Sequence, residues 1–203
     1  MTDTTSTLEN LKNKLVEIHQ RKLKEFKALP DQTKYNEYVK NYKQFLDRLS
    51  STIKDNECMN SLRKKLDGKI AGTEGALLEL SRDLLFIEGF ICNFVDFICY
   101  LLILDHHDLC NFIRNNKYVT SLEDIAIISM FSKIQFLNQH EFNELTKYYE
   151  NSLRKYRNAI AHHKYTIDEN GHVWIKGKQV NPLVQIRDIW EFIRFFDSLL
   201  KSL

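Results

Sequence analysis

Residues 154–165, RKYRNAIAHHKY, bring together side chains that can carry out acid–base and phosphate chemistry. Arg157 and Asn158 are followed by three small or apolar residues and then by His162 and His163. Histidine titrates near neutral pH and can accept or donate a proton during phosphodiester cleavage. Arginine offers a fixed, permanently charged set of donors that suits a phosphate or a developing oxyanion. With RNA as the substrate, the neighbouring 2′-hydroxyl supplies the nucleophile, so this chemistry requires neither a protein nucleophile nor a metal.

The element that must position these residues is an amphipathic helix, predicted from Asn138 to His163. Its core-facing stripe is Phe142, Leu145, Tyr149, Leu153, Tyr156 and Ile160. Asn158 and His162 lie off this stripe, so the core does not require them. At about 100° per residue, Arg157 and His162 point about 140° apart on a regular helix. They can therefore cooperate only if the helix loosens at its C-terminal end or if a second subunit contributes to the same groove.

The charge distribution leaves two interpretations of this region open. The net charge of the chain is only +2, but residues 147–203 carry ten Lys/Arg against six Asp/Glu. A local phosphate-binding surface and an ordinary solvated helix face both fit this excess of positive charge.

The segment from Arg157 to His162 resembles the R-N-x-x-x-H signature of the HEPN superfamily (higher eukaryote and prokaryote nucleotide-binding domains). The resemblance implies a homodimeric, metal-independent endoribonuclease without a cofactor, of the kind found in toxin–antitoxin, abortive-infection and CRISPR-linked defence systems. It implies a composite cleft in which Arg157 stabilises the charge of the transition state and His162 performs acid–base or positioning work, with Asn158 as a polar support. The implied partners are RNA, a second copy of the chain, and an antitoxin or regulatory protein.

Two residues leave the assignment of the catalytic histidine open. His163 also has a spacing from Arg157 that the looser form of the signature allows. Some similar toxins have a tyrosine two residues after the motif histidine, where an antitoxin can modify it, and Tyr165 has that spacing from His163. We favour His162 because it follows the R-N-x-x-x-H register and lies off the core stripe, with His163 and Tyr165 as supporting residues.

The fold class predicted from the rest of the chain is all-α, a helical bundle with a small β-hairpin before the C-terminal helix. Six glycines and two prolines in 203 residues favour long helices. We predict one domain, 1–203, with N-terminal helices and a polar loop in 1–75 and a core bundle in 76–203. The predicted helices lie at 7–28, from 31 onward, at 76–104, at 108–115 and at 121–134 (opened by Thr120 and Glu123). Residues 54–75 are predicted to form a loop or, as the alternative, a short helix with frayed ends. The hairpin is predicted at 166–180 around Asn170-Gly171, and a last helix from Pro182.

Other polar residues could also form a site. The run DHHD (105–108) has metal-ligand side chains, but adjacent ligands rarely converge on one ion, so a helix connection is the preferred interpretation and no metal site is predicted. Glu88, Asn93 and Asp96 interrupt an apolar run and are either functional or satisfied by neighbouring helices. Trp174 either anchors the hairpin or stacks on a base.

The expected location is the cytoplasm, without membrane insertion. The N-terminal residues lack the apolar segment of a signal peptide, and the cysteines form no C-x-x-C pair. The run 84–104 is long enough to span a bilayer, but its three polar residues favour a buried bundle helix.

Three hypotheses follow, in order of preference. The first is an endoribonuclease acting through Arg157 and His162. The second is a non-catalytic module of the same fold that binds RNA, a nucleotide or a partner protein. The third is a structural bundle whose basic helix end has no role in binding.

Overall fold

The computed structural model describes residues 2–66, 73–105, 121–140, 142, 143, 146, 149–170, 172–180 and 193–203. Three long helices account for most of the N-terminal half: α1 (Thr2–Lys27), α2 (Thr33–Leu66) and α3 (Thr73–Asp105). The loop preferred at 54–75 is wrong for residues 54–66, which continue α2, and for residues 73–75, which begin α3. No glycine or proline occurs between Asp31 and Asp67, and the Lys, Glu, Met, Leu and Arg residues at the end of α2 have good helix propensity.

Two short helices replace the single one predicted at 121–134. They are α4 (Leu122–Ala126) and α5 (Met130–Gln139). Ser121 caps α4 through a capping box with Asp124, one residue later than the predicted pair of Thr120 and Glu123. Ser129 then accepts a hydrogen bond from the backbone N–H of Ser132 and starts α5.

The helix that carries the motif is shorter and less regular than predicted. Helix α5 ends at Gln139, so the expected start of the motif helix at Asn138 is wrong. A π-helical segment covers Tyr149–Arg154, and α6 (Lys155–Ala161) follows it directly. The wider π turn shifts the side-chain register, so the regular 100° spacing assumed for the stripe applies only within α6.

Three short antiparallel strands follow α6 where one hairpin was predicted. They are β1 (Tyr165–Ile167), β2 (Val173–Ile175) and β3 (Lys178–Val180), in the order β1-β2-β3. Lys176 and Gly177 join β2 to β3 with φ values of 50° and 71°, as in a two-residue type I′ hairpin turn. Residues 193–202 form the last helix, α7. The predicted start at Pro182 and the predicted helix at 108–115 lie outside the described residues.

These elements confirm the predicted fold class, a mostly helical bundle with a small sheet before the C-terminal helix. The chain divides into two compact units. Unit 1 comprises Met1–Leu49, Ile91–Thr146 and Phe195–Leu203, and unit 2 comprises Ser50–Phe90 and Lys147–Arg194. The prediction of a single domain with a division near residue 75 stays a prediction.

The core of unit 1 is rich in aromatic side chains. The rings of Phe45 and Phe97 stack with centroids 4.2 Å apart, and Phe94 stacks on Phe196 at 4.4 Å. All four residues are fully buried. Such stacked aromatic pairs add to the stability that burial of their apolar area provides.

One charged cluster is buried in unit 1. The Lys133 ammonium lies 2.6 Å from Asp96 Oδ1, and Arg48 Nη1 lies 3.9 Å from Asp96 Oδ2. Burial raises the pKa of Asp96 above its ordinary value, and Lys133 and Arg48 act in the opposite direction. Asp96, one of the polar residues in the apolar run, is therefore paired by charged side chains of other helices.

The apolar part of α3 is long enough to cross a membrane. Residues Leu85–Asp105 have a mean hydropathy of 1.9, and 67% of this stretch is buried inside the protein. A mostly buried helix of this composition is typical of the core of a soluble protein.

Candidate functional site

Arg157 is fixed in place by two side chains of unit 2. Its Nε donates to Glu88 Oε2 at 2.8 Å, and its Nη1 donates to Asn158 Oδ1 at 2.9 Å. The Arg157 side chain is 40% exposed, whereas that of Glu88 is 19% exposed. Among the described residues, the Nη2 group has no hydrogen-bond partner. The guanidinium is thus held through Nε and Nη1 and remains partly exposed.

Glu88 is the residue of this site that the sequence did not connect to the motif. It lies on α3, 69 positions before Arg157 in the chain. The available signal was a carboxylate inside an apolar run, which needs a partner when it is half-buried. That signal indicates that some cation pairs with Glu88, but it does not identify Arg157.

Asn158 connects the arginine to a neighbouring groove. Its Oδ1 accepts the hydrogen bond from Arg157, and the residue also lines a groove of about 720 Å³ together with His162. The contact to Arg157 is the kind of polar support that the resemblance implies. Whether Asn158 assists catalysis stays a prediction.

His162 lies on the exposed side of the C-terminal end of α6. Its backbone N–H donates to Asn158 O at 3.2 Å, which continues the helical hydrogen bonding by one residue. Its side chain is solvent-exposed and lines the groove that Asn158 lines. An exposed imidazole in a groove can exchange protons with a bound substrate without a large change of the surrounding structure.

His163 has a different position and a backbone role. Its φ is 50°, and the N–H of Lys164 donates to Ala159 O at 2.7 Å. A left-handed residue followed by this hydrogen bond is a Schellman motif, which ends the helix. A non-glycine residue there costs roughly 1 kcal/mol. This bend separates the two histidines, since His163 lines a second, smaller groove and not the one that holds His162.

Tyr165 begins β1 and belongs mainly to the small core of unit 2. Its half-buried ring packs with Tyr156 against Ala159, Val173 and Ile175. One side of Tyr165 lines the smaller groove, where its ring centroid is 6.2 Å from that of His163. The sheet thereby packs against α6 and supports the end of the helix that carries both histidines.

The larger groove is strongly basic. Four of its lining residues are cationic and one is acidic: Arg154, Lys155, Lys164, Lys176 and Glu150. Glu150 forms an ion pair with Arg154 at 3.0 Å across one turn of the π-helical segment. The remaining lysines give the groove a net positive charge, which attracts phosphate groups.

Arg157 does not line this groove. The structure therefore brings His162 and Asn158 together within one groove, and Arg157 is joined to Asn158 by a hydrogen bond. The predicted angle of about 140° between Arg157 and His162 stays a prediction.

The DHHD segment contributes no site in the described part of the chain. Asp105 is the last residue of α3 and pairs with Arg21 of α1, while residues 106–108 lie outside the described residues. The described residues contain no group of three or more His, Cys, Asp and Glu side chains that could hold a metal ion.

Comparisons with known proteins add no relative. No family model matches the sequence, and no curated protein or solved structure matches it either.

Proposed function

We propose that the protein is an endoribonuclease that cuts RNA by attack of a 2′-hydroxyl on the adjacent phosphorus. The observation that carries this proposal is the basic groove in which His162 and Asn158 lie among four cationic side chains. Positive charge binds the phosphate backbone, and an exposed histidine supplies or removes the proton that the reaction needs.

In the proposed reaction the 2′-oxygen forms a bond to phosphorus, and a base removes the proton of the 2′-hydroxyl. The bond from phosphorus to the 5′-oxygen breaks, and that oxygen takes up a proton. The products are a 2′,3′-cyclic phosphate and a free 5′-hydroxyl. His162 takes part in one of the two proton transfers, and Arg157 donates hydrogen bonds to the oxygens that become more negative in the transition state.

A second copy of the chain completes this site. Arg157 does not line the groove of His162 in its own copy of the chain, but its side chain is 40% exposed and its Nη2 has no hydrogen-bond partner among the described residues. In a two-fold dimer, the Arg157 of each copy would act with the His162 of the other copy. The resemblance to HEPN proteins supports this arrangement. It also supports a role in cellular defence or as a toxin in the cytoplasm, controlled by an antitoxin or another regulatory protein.

The direct test is cleavage of a single-stranded RNA by the purified protein in the presence of a chelator. Replacement of His162 by alanine should lower the rate roughly 100-fold or more, the usual contribution of a general acid or base. His163→Ala compares the two histidines and should keep more activity than His162→Ala, because His163 lies outside the groove of His162. An undiminished rate for both His162→Ala and Arg157→Ala would rule out the proposal.

Mixing the two inactive variants tests the composite site. A heterodimer of Arg157→Ala and His162→Ala contains one complete pair, so the mixture should recover up to about a quarter of the wild-type rate. Equal inactivity of the mixture and the separate variants, with subunit exchange demonstrated, would exclude a site shared between copies.

One observation favours the second candidate, an RNA-binding module without catalysis. Arg157 forms an ion pair with Glu88, as a purely structural arginine would. Under this alternative the basic groove binds RNA, and no cleavage product forms. If the protein binds RNA tightly and the RNA stays intact over hours, the RNA-binding module without catalysis is the better explanation.

A further inference from the structure

Trp174 lies at the centre of the exposed face of the small sheet. It belongs to the middle strand β2, opposite Thr166 of β1 and Gln179 of β3. Side chains alternate along a strand, and the neighbouring Val173 and Ile175 are buried against α6. Trp174 therefore turns to the opposite face, where it is half-buried and Thr166 and Gln179 are exposed.

The indole of Trp174 is held in one orientation before any ligand binds. Its Nε1 donates to Asp168 Oδ2 at 3.0 Å. The same carboxylate accepts hydrogen bonds from the backbone N–H groups of Asn170 and His172 and contacts the ring of His172 at 3.0 Å. The polar edge of the indole is already satisfied, and Trp174 lines a groove in which a ligand can contact its aromatic ring. Fixing the ring beforehand also lowers the entropic cost of binding.

The groove beside Trp174 shares two lining residues with the basic groove of His162. This smaller groove has a volume of about 410 Å³, and Lys164 and Lys176 line both grooves. The two lysines thus lie between an aromatic surface on one side and the proposed cleavage site on the other. An aromatic ring next to cationic side chains is the usual arrangement for binding an unpaired base and its phosphates.

We propose that Trp174 stacks on the base of a nucleotide adjacent to the phosphate bound in the His162 groove, while Lys164 and Lys176 bind the intervening backbone. This inference rests on the proposed function, because it assigns the smaller groove to the same RNA. It specifies the substrate as a single strand or loop, since the bases of a duplex are stacked on each other and cannot lie against the indole.

The test is binding of a short 2′-O-methyl oligouridine, which lacks the nucleophile and cannot be cut. Trp174→Ala should weaken binding roughly 5- to 150-fold, the range found when a base-stacking aromatic residue is removed. Trp174→Phe keeps an aromatic face and should restore most of the affinity. Gln179→Ala, a change on the same face of the sheet, is the control and should bind like the wild type. A duplex of the same length should not distinguish Trp174→Ala from the wild type.

The inference is wrong if folded Trp174→Ala keeps wild-type affinity, or if the wild type does not bind the oligonucleotide. If the alanine variant does not fold, Trp174→Leu preserves the apolar bulk without the aromatic face. Weak binding by folded Trp174→Leu supports stacking, whereas wild-type affinity excludes it. Because the ligand cannot be cleaved, Trp174-dependent binding together with a failure to cut ordinary RNA would disprove the nuclease and leave the base-binding site standing. Cleavage of ordinary RNA, together with binding that does not depend on Trp174, would disprove the base-binding site and leave the nuclease standing.

Discussion

Two acidic side chains on helix α3 have opposite kinds of surroundings. Asp96, in unit 1, is buried and lies 2.6 Å from Lys133, which is buried as well. Glu88, in unit 2, is partly buried, and its partner Arg157 is 40% exposed and also bonded to Asn158. The first pair hides both charges from solvent, whereas the second keeps part of the cation accessible.

The difference in burial indicates different roles for the two ion pairs. The Asp96–Lys133 pair supports the fold, whereas the Glu88–Arg157 pair can orient a functional group. A buried ion pair is costly to break, because removing one partner leaves the other charge without compensation. A half-exposed pair contributes little to stability. Its effect is to restrict the direction of the arginine, which matters when a ligand must meet the remaining donors.

The largest expected effect on stability is that of Lys133→Ala. It should lower the free energy of unfolding by about 3–5 kcal/mol, because Asp96 loses its close buried partner. Urea unfolding followed by circular dichroism measures this loss. The comparison variant is Arg48→Ala, which should cost less than Lys133→Ala because Arg48 lies farther from Asp96 and is partly exposed. Equal losses for the two variants would contradict the comparison.

Arg157→Ala should have the reverse profile. We expect RNA cleavage to fall roughly 10²- to 10³-fold, the loss typical when a donor to the transition state is removed. The free energy of unfolding should change less than in Lys133→Ala, because the Arg157–Glu88 pair is less buried than the Lys133–Asp96 pair. Arg157→Lys keeps the charge without the planar fork and should recover only a small part of the rate. If Arg157→Ala loses stability but keeps its activity, the Arg157–Glu88 ion pair has only a structural role.

Glu88→Gln should have a smaller effect on the same reaction. The amide oxygen can still accept a hydrogen bond, but it no longer attracts the guanidinium by charge. We expect the rate to fall roughly tenfold through less accurate placement of Arg157, with RNA binding unchanged. Comparing cleavage rates at saturating RNA with dissociation constants for uncleavable RNA measures the two effects separately. A change in binding alone would count against an orienting role.

The smallest expected effects are the opposite pKa shifts of two carboxyl groups, those of Asp96 and Asp168. Burial raises the pKa of Asp96, whereas hydrogen bonds from Trp174 and His172 lower the pKa of Asp168. Asp96 binds its proton more tightly in the folded state, so its contribution to stability falls as pH rises from its unfolded pKa through its folded pKa. The contribution of Asp168 is complete above the ordinary aspartate value of about 3.9 and is lost as pH falls through its folded pKa. NMR titration of the side-chain carboxyl carbons should place Asp96 above that value and Asp168 below it.

The sequence predicted the elements that depend on regular apolar spacing. Helix α1 follows the repeat of Leu11, Leu15 and Ile18, which are buried in unit 1, and α3 follows the continuous apolar run. The small sheet was visible in its alternating residues, although the turn at Lys176 and Gly177 makes it three strands instead of two. The end of α2 was missed because its polar residues resemble a loop in composition while retaining good helix propensity.

The sequence proposed residues for the candidate site but not their contacts. The motif drew attention to Arg157, Asn158 and His162, whose role in a site stays a prediction. The bond from Arg157 to Glu88 joins residues 69 positions apart, and no local pattern encodes such a contact. The π-helical segment was also unpredictable, since its side chains satisfy an ordinary helical pattern and only the backbone bonding differs.

The π-helical segment holds one residue more than a regular helix needs over the same turn. The wider turn accommodates that residue, so Tyr149 and Asn158 keep nearly the directions that a regular helix one residue shorter would give them. Deleting one residue from Tyr149–Arg154 should therefore leave Tyr149 buried and Asn158 facing the groove, whereas deleting a second residue would rotate them by about 100° relative to each other. The segment thus allows the chain length to change by one residue without a change in the orientation of the motif.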